Sequence, residues 1–329
     1  MRIILFSWLA ALFVNHSEVR TIKFSGSAQG TSYHITYYAT DTLVTKSQVD
    51  SIFQNIDSSL SLYKPYSLVN RFNQSVNGLS VDDHMYQVVS KAIKVHRVSN
   101  GFFDITVYPL TEAWGFGVTR VDSTPSPATV QQLKSCVNSK LITFKKRKLV
   151  KKKACVKLDP NGIAQGYTVD VVADFFERAG VKDFIIELGG EIRVAGRKPG
   201  GEKMSLGIES PGSEPGFSMI NKVVYLDKGA LTTSGNYQRY YESGGKIVNH
   251  LLDPKTGYYV QNDLVSVTVY AKDAITADAY DNAIMAMGLV KGLRFAEKHR
   301  DIAVHFIYRK ADGVVADTMS KRFKTLLNP

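Results

Sequence analysis

The chain has 329 residues, 44% of them hydrophobic and 22% charged, with 41 Lys and Arg against 30 Asp and Glu for a formal net charge of +11. That balance is ordinary for a soluble globular protein and excludes a disordered chain, a collagen-like repeat and a polytopic membrane protein. The length suits one large domain or two of middling size. The only two cysteines, Cys136 and Cys155, exclude a disulfide-framed scaffold and a four-thiolate metal site.

Arg2 is followed by an unbroken apolar or small run over residues 3–14. At about 1.5 Å per residue that run is too short to cross about 30 Å of hydrocarbon. A positive start followed by such a run is the pattern of a secretory signal peptide, with a buried helix as the alternative. No cysteine follows it, which speaks against a lipid-anchored lipoprotein, and Asn15, His16 and Ser17 make a poor cleavage site, so an uncleaved anchor also fits. Residues 1–20 are therefore set apart as signal peptide or N-terminal membrane anchor, and 21–329 as the folded domain.

Residues 31–39 alternate with many β-formers and read as a strand. Over 47–63, Val49, Ile52, Phe53, Ile56 and Leu60 make one helical stripe, with Ser47 as N-cap and Asp50 three residues on. A second amphipathic helix is predicted over 83–98, and a third over 168–179, ended by Gly180. Strands follow at 184–188, 203–208, 223–226, 237–242, 246–253 and 264–270, with a hairpin turn at Ser243-Gly244-Gly245. Helices at 274–287 and 291–300 and a strand at 302–308 close the series. Strands and helices come in mixed order without strict alternation, which predicts an α+β fold with two interleaved lobes.

Residues 145–153 hold seven Lys and Arg, and without them the positive excess falls to +4. Flanked by strand-like 141–144 and 154–158, they read as a basic hairpin tip. It is either a solvated loop or a contact for anionic lipid headgroups at a membrane surface. No aromatic platform or recognition motif accompanies it, so nucleic acid is not an expected partner. Two buried free thiols are the default reading of Cys136 and Cys155, with Cys136 on a helix and Cys155 on a strand; one bridge is the alternative.

On the helix at 274–287, Asp278, Asp281 and Asn282 share one face, opposite the apolar Ala277, Ile284, Met285 and Met287. Two carboxylates at that spacing repel unless a cation lies between them, and oxygen ligands suit Mg²⁺ or Ca²⁺. A solvated acidic face is the plain alternative. The stretch Asp159-Pro160-Asn161-Gly162 with Gly166 leads into the third helix, where free N–H groups suit phosphate. Ala230 to Asn236 reads as a second phosphate cradle or a polar turn. His250 lies among hydrophobic residues, structural or catalytic, and Phe102-Phe103-Asp104 reads as a ring-stacking site or as core.

The order of these signals is more telling than any one of them. Gly30-Thr31, Ser61-Leu62-Tyr63 with Arg71-Phe72-Asn73, Gly101 to Thr106 with Trp114-Gly115-Phe116-Gly117, and Asp159 to Asp170 come first. Glu187 to Ile192, Thr233-Ser234-Gly235-Asn236-Tyr237, His250 to Pro254 with Thr256-Gly257, and Thr276-Ala277-Asp278 to Gly288 follow. Together they resemble the ApbE family of FAD:protein FMN transferases over about residues 24–310. The resemblance implies an ApbE-like, T-fold-like mixed α/β architecture with the ligand site between two lobes. It implies a Mg²⁺-dependent enzyme that cleaves the FAD pyrophosphate, attaches FMN by a phosphoester to a Thr or Ser of a target protein and releases AMP. An FAD pyrophosphatase giving FMN and AMP, or a non-catalytic flavin-binding protein, is the alternative. Implied acceptors are flavoprotein subunits of membrane redox complexes of the Nqr and Rnf types, at the periplasmic side of the inner membrane.

Carried over residue by residue, the resemblance places the metal on Asp278, Asp281, Asn282 and the backbone carbonyl of Gly162, with Asn282 where the family usually has Thr. It places FAD against Gln29, Tyr63, Phe102, Phe103, Asp104, Asp159, Gln165 and His250. Gln165 replaces a common Lys or Glu, and Gln29 a common Met. His250 is expected to position phosphate, and Asp281 to take the proton of the acceptor hydroxyl.

Overall fold

The computed structural model describes residues 18–119, 124–210, 220–235, 240–243 and 246–329. Residues 1–17 of the predicted leader at 1–20 lie outside the described residues, and its last residue, Arg20, already belongs to the first strand. Strand β1 (Arg20–Ala28) opens the described fold and pairs with β2 (Thr31–Ala39) across a two-residue turn at Gln29-Gly30. Both turn residues have positive φ, 52° and 79°, the geometry that matches strand twist in a tight hairpin. Helix α1 (Lys46–Leu60) is capped by Thr45 and not by Ser47: the Thr45 side chain accepts from the Gln48 N–H while the Gln48 side chain accepts from the Thr45 N–H.

Helices α2 (Leu68–Gln74) and α3 (Asp83–Val98) bracket the short β3 (Gly78–Ser80). Helices α4 (Tyr108–Ala113) and α5 (Pro127–Lys134) precede a hairpin of β4 (Ile142–Lys145) and β5 (Lys148–Lys151). The basic tip is therefore real, but its second strand is Lys148–Lys151 and not 154–158. The cysteines form a disulfide with Cα atoms 5.6 Å apart, which corrects the reading of two free thiols. Cys136 sits in the turn after α5 and Cys155 in the exposed turn after β5, so neither lies on a helix or strand. Local pattern could not reveal a pairing set by how α5 folds back on the hairpin.

Helix α6 (Ala164–Arg178) starts earlier than predicted, directly after the Asp159–Gly162 turn. Then come β6 (Asp183–Leu188), β7 (Glu191–Ala195), β8 (Met204–Glu209), β9 (Ile220–Leu226) and β10 (Lys228–Gly235). The stretch at 230–236, read as a phosphate cradle or a polar turn, is strand over 230–235, and its Thr233, Ser234 and Gly235 line the cleft described below. Next are β11 (Tyr240–Ser243) paired with β12 (Lys246–Asn249), and β13 (Leu264–Ala271). The chain continues through α7 (Ala274–Met287), α8 (Leu289–Lys298), β14 (Ala303–Arg309), β15 (Val315–Met319) and the short α9 (Lys321–Lys324).

Eight strands form one antiparallel sheet in the order β1-β2-β6-β7-β10-β13-β14-β15. Alternating residues serve its two faces. Phe184, Ile186, Ala230, Val267 and Val269 meet the helices α6 and α7, whereas Ile185, Leu231 and Tyr270 face the β8–β9 hairpin and α9. The chain between β2 and α6 builds a second lobe, with α1–α3 and a three-stranded sheet in the order β3-β5-β4, and it shares a continuous core with α7. The fold is α+β with interleaved lobes, as the sequence predicts. No described helix is long and apolar enough to cross a membrane.

Candidate active site

Helix α7 carries the acids, and its position is fixed at its N-terminus. Asp273 accepts from the Thr276 N–H at 3.0 Å, and Asp170 of α6 accepts from the N–H groups of Ala274 and Ile275 at 2.8 Å each. Burial pushes the Asp170 carboxyl up to about 6 even with those bonds and the Arg193 ion pair. Helices α6 and α7 touch closely because position 166 is glycine: a Cβ there would stand 2.4 Å from the Ala274 carbonyl oxygen and 2.7 Å from Asp278 Cβ. The Gly166 N–H donates to Asp278 Oδ2 at 2.9 Å.

This crossing brings the glycine turn before α6 against the acids of α7. The amide Nδ2 of Asn282 donates toward the Asp278 main-chain oxygen and Asp281 Oδ1 at 3.0 Å, and toward Asp278 Oδ1 and the Gly162 carbonyl at 3.4 Å. Oxygens from two distant parts of the chain therefore converge on one point. From behind, Thr232 of β10 donates its hydroxyl to Asp281 Oδ2 at 2.7 Å. The partner explains a polar residue in a central strand: Thr232 is fully buried, and Asp281 gives its hydroxyl an acceptor.

The solvated acidic face that stood as the alternative does not form. Helix α7 is buried on nearly all sides, leaving Asp278 3% and Asp281 1% exposed. Burial raises the Asp278 carboxyl to about 7. Burial and then the neighbouring Asp278 charge push Asp281 well above its ordinary value. Glu191 of β7 joins them, raised well above its ordinary value by burial and by the charges of Asp278 and Asp281. Its Oε2 has no hydrogen-bond partner among the described residues. Buried acids held next to each other keep protons unless a cation replaces them. The donor set fits a hard divalent ion: two carboxylates, a backbone carbonyl and a side-chain amide, all oxygen-bearing. Among the described residues no group of three or more His, Cys, Asp or Glu side chains is spaced to hold a metal. A cation here would therefore rest on the mixed set of Asp278, Asp281, Asn282 and Gly162, with the Asn282 amide turned to present its oxygen.

These acids form one end of a cleft of about 390 Å³, a size that suits a small organic ligand. All twelve residues singled out from the sequence line it: Gln29, Tyr63, Phe102, Phe103, Asp104, Asp159, Gly162, Gln165, His250, Asp278, Asp281 and Asn282. Tyr63 is 56% exposed at the mouth. The His250 ring meets Phe116 edge-on at 6.3 Å, and Lys255 Nζ lies 4.4 Å over the Phe102 ring. Gln29 donates to Thr168 Oγ1 at 3.0 Å, which fastens the β1–β2 turn to α6, and the Gly189-Gly190 turn packs against Thr31 and Gln165.

Two of the twelve have carboxylates occupied by the fold itself. Asp104 is 5% exposed and accepts from the N–H and hydroxyl of Thr106 at 2.9 and 2.7 Å and those of Ser139 at 2.9 and 2.7 Å, and its Oδ2 pairs with His96 Nδ1 at 3.0 Å. It ties the loop before α4 to the start of β4. Asp159 accepts from the Asn161 N–H at 3.1 Å and shapes the glycine turn, and burial pushes its carboxyl up. Glu191, Thr232 and the half-buried Asp57 belong to the site without having been assigned a role from the sequence. For Glu191 a signal existed, an acid beginning a strand directly after a Gly-Gly turn. Thr232 gave none.

Residues 29–306 match the model of the ApbE family. The FAD:protein FMN transferase of Haemophilus influenzae is 33% identical over 94% of this chain and 92% of its own length. That of Vibrio cholerae is 31% identical over 93% of each. Among solved structures, the flavin transferase ApbE from Vibrio cholerae superposes with a TM-score of 0.84 at 30% identity, covering 94% of this chain and 100% of that one. The apo flavinyl transferase ApbE of Pseudomonas stutzeri gives 0.84 at 32% identity over 94% and 98%. With fold, motif order and full-length similarity in agreement, the chain belongs to the ApbE family.

Proposed function

We propose that this chain is a Mg²⁺-dependent FAD:protein FMN transferase. The observation that carries the proposal is the convergence of Asp278, Asp281, Asn282 and the Gly162 carbonyl at the acidic end of an aromatic-walled cleft. When bound there, the cation supplies positive charge to the pyrophosphate oxygens. Tyr63 and Phe102 stack on the flavin or adenine, with Phe103 packed into the core behind them. His250 donates to a phosphate oxygen and holds the pyrophosphate in place. The acceptor hydroxyl attacks the phosphorus on the FMN side, the bond to the AMP oxygen breaks, and its electron pair leaves with AMP. Thr232 holds Asp281 Oδ2, which leaves Oδ1 facing Asn282, and Asp281 takes the hydroxyl proton.

Incubation with FAD, Mg²⁺ and a candidate acceptor is expected to leave a fluorescent flavin band after denaturing electrophoresis, with a mass increase on a Thr or Ser matching FMN and lost with chelator. AMP released without a labelled band would instead assign the pyrophosphatase activity. FAD bound without turnover would assign a carrier.

The acceptors proposed are flavoprotein subunits of membrane redox complexes of the Nqr and Rnf types, met outside the cytoplasm. The apolar run at 3–14 supports export, as does the Cys136–Cys155 bridge, because disulfides persist in oxidising compartments. A reporter active only after export, fused to residues 1–20, is expected to be active; a fusion that is expressed but inactive refutes export.

A further inference from the structure

A second depression, about 1080 Å³, adjoins the cleft and shares Asp104 and Pro254 with it. Its wall carries five cations, Arg97, Lys134, Lys140, Lys152 and Lys255. None of them is paired with a carboxylate among the described residues. The one acid in the wall, Asp104, is taken up by His96, Thr106 and Ser139. Along the same wall run Ile142, Thr143 and Phe144 of β4, the outer strand of its three-stranded sheet, whose far edge has no paired strand among the described residues. An open strand edge takes up an extended segment by main-chain hydrogen bonds. Unpaired cations around it select negative side chains.

We infer that this groove docks an extended, acidic segment of the acceptor protein, pairing along β4 and delivering the acceptor hydroxyl past Lys255 and Pro254 into the cleft. The inference rests on the transferase reading for the identity of the partner. Shape favours protein over lipid. The groove is concave and opens beside the reaction site, whereas a bilayer meets convex features such as the tip at Lys145–Lys148. Lys255 marks the junction, since its ammonium lies over Phe102 at the cleft wall.

The test uses the full chain, a fluorescein-labelled Asp- and Glu-rich peptide containing one Thr, and a matched Asn- and Gln-rich peptide. Anisotropy is expected to show binding of the acidic peptide only, weakening as salt rises. The triple variant Lys134→Gln, Lys140→Gln, Lys152→Gln is expected to bind about tenfold more weakly. Its thermal transition and its FAD affinity, read from flavin fluorescence, are expected to match those of the parent protein, because none of the three touches the cleft. Equal affinity for both peptides, or unchanged binding in the triple variant, overturns the inference. So does loss in that variant of binding to phosphatidylglycerol vesicles with no peptide binding by the parent, which assigns the groove to a membrane surface. If the parent protein binds the acidic peptide but not FAD, the docking surface stands and the transferase reading falls.

Discussion

Asp104 is the position where a ligand contact and a structural hub give opposite results. In Asp104→Asn one of the two oxygens becomes an NH₂ group. On one side it would face Thr106 and the Ser139 hydroxyl; on the other, the Ser139 N–H and His96 Nδ1. Either orientation sets donor against a buried backbone donor and removes the charge from the His96 pair. Losing one partner of a buried pair costs about 3–5 kcal/mol. With an unfolding entropy of roughly 2.1 cal/mol/K per residue over 329 residues, that is a fall in Tm of about 4–7 °C.

The pH dependence adds a sign. The Asp104 hydrogen bond holds the His96 imidazole above its ordinary 6.5, against its burial. His96 Nδ1 also lies 3.1 Å from the Phe103 carbonyl, so with acceptors on both contacts it carries the proton. The stability His96 contributes is complete below 6.5 and is lost as pH rises through its folded value. Burial pushes the Asp104 carboxyl up, but His96 and Thr106 together hold it below 3.8, so its contribution is present above that value and lost as pH falls through its folded one. The gap between parent and variant is therefore widest from about pH 4 to 6.5 and narrows above it. Thermal melts across pH, alongside FAD titration at low temperature, check this. An unchanged Tm with weakened FAD binding would refute the hub and make Asp104 a ligand contact.

Asp281→Asn is expected to lower transferase turnover by roughly 10²–10⁴-fold. It should leave the metal-free Tm equal or higher, because an acid that burial keeps protonated gives way to an amide of the same shape whose oxygen still accepts from Thr232. Added Mg²⁺ is expected to raise the Tm of the parent and not of the variant. Gly166→Ala forces a Cβ to within 2.4 Å of the Ala274 oxygen, and is expected to cost about 1–3 kcal/mol in chemical denaturation while displacing Asp278 and cutting activity. Reducing the Cys136–Cys155 bridge, which spans 19 residues, removes about 3 kcal/mol of stability on the chain-entropy account. The corresponding fall in Tm is roughly 4 °C, and an unchanged melt under reductant would count against it.

Helix α7 shows how far pattern reaches. Its period put Asp278, Asp281 and Asn282 on one face, and that face does meet the glycine turn at 162. The same pattern could not fix its burial, because an acidic stripe reads equally well as solvated until β10 and α6 close over it. The polar-turn alternative for β10 fails for a related reason. Thr232, Thr233 and Ser234 have a turn-like composition, but Thr232 bonds Asp281 and Thr233 bonds Thr268 at 2.9 Å across to β13. Polar residues enter a central strand when their partners are supplied from elsewhere.

Sequence by itself determined the periodic elements, the order of the chemical motifs and, through that order, the family and the residues of the cleft. These are local or one-dimensional properties. Tertiary structure decided the Cys136–Cys155 pairing, the turning of Asp104 toward His96 and Ser139, and the seating of Glu191 and Thr232 behind the acids. The bonds that matter most here join residues such as Gly166 and Asp278, or Gly162 and Asn282, that lie 112 and 120 positions apart. No local period encodes which distant groups will share a buried space, and in a low-dielectric interior that sharing sets both the charge of an acid and what it can bind.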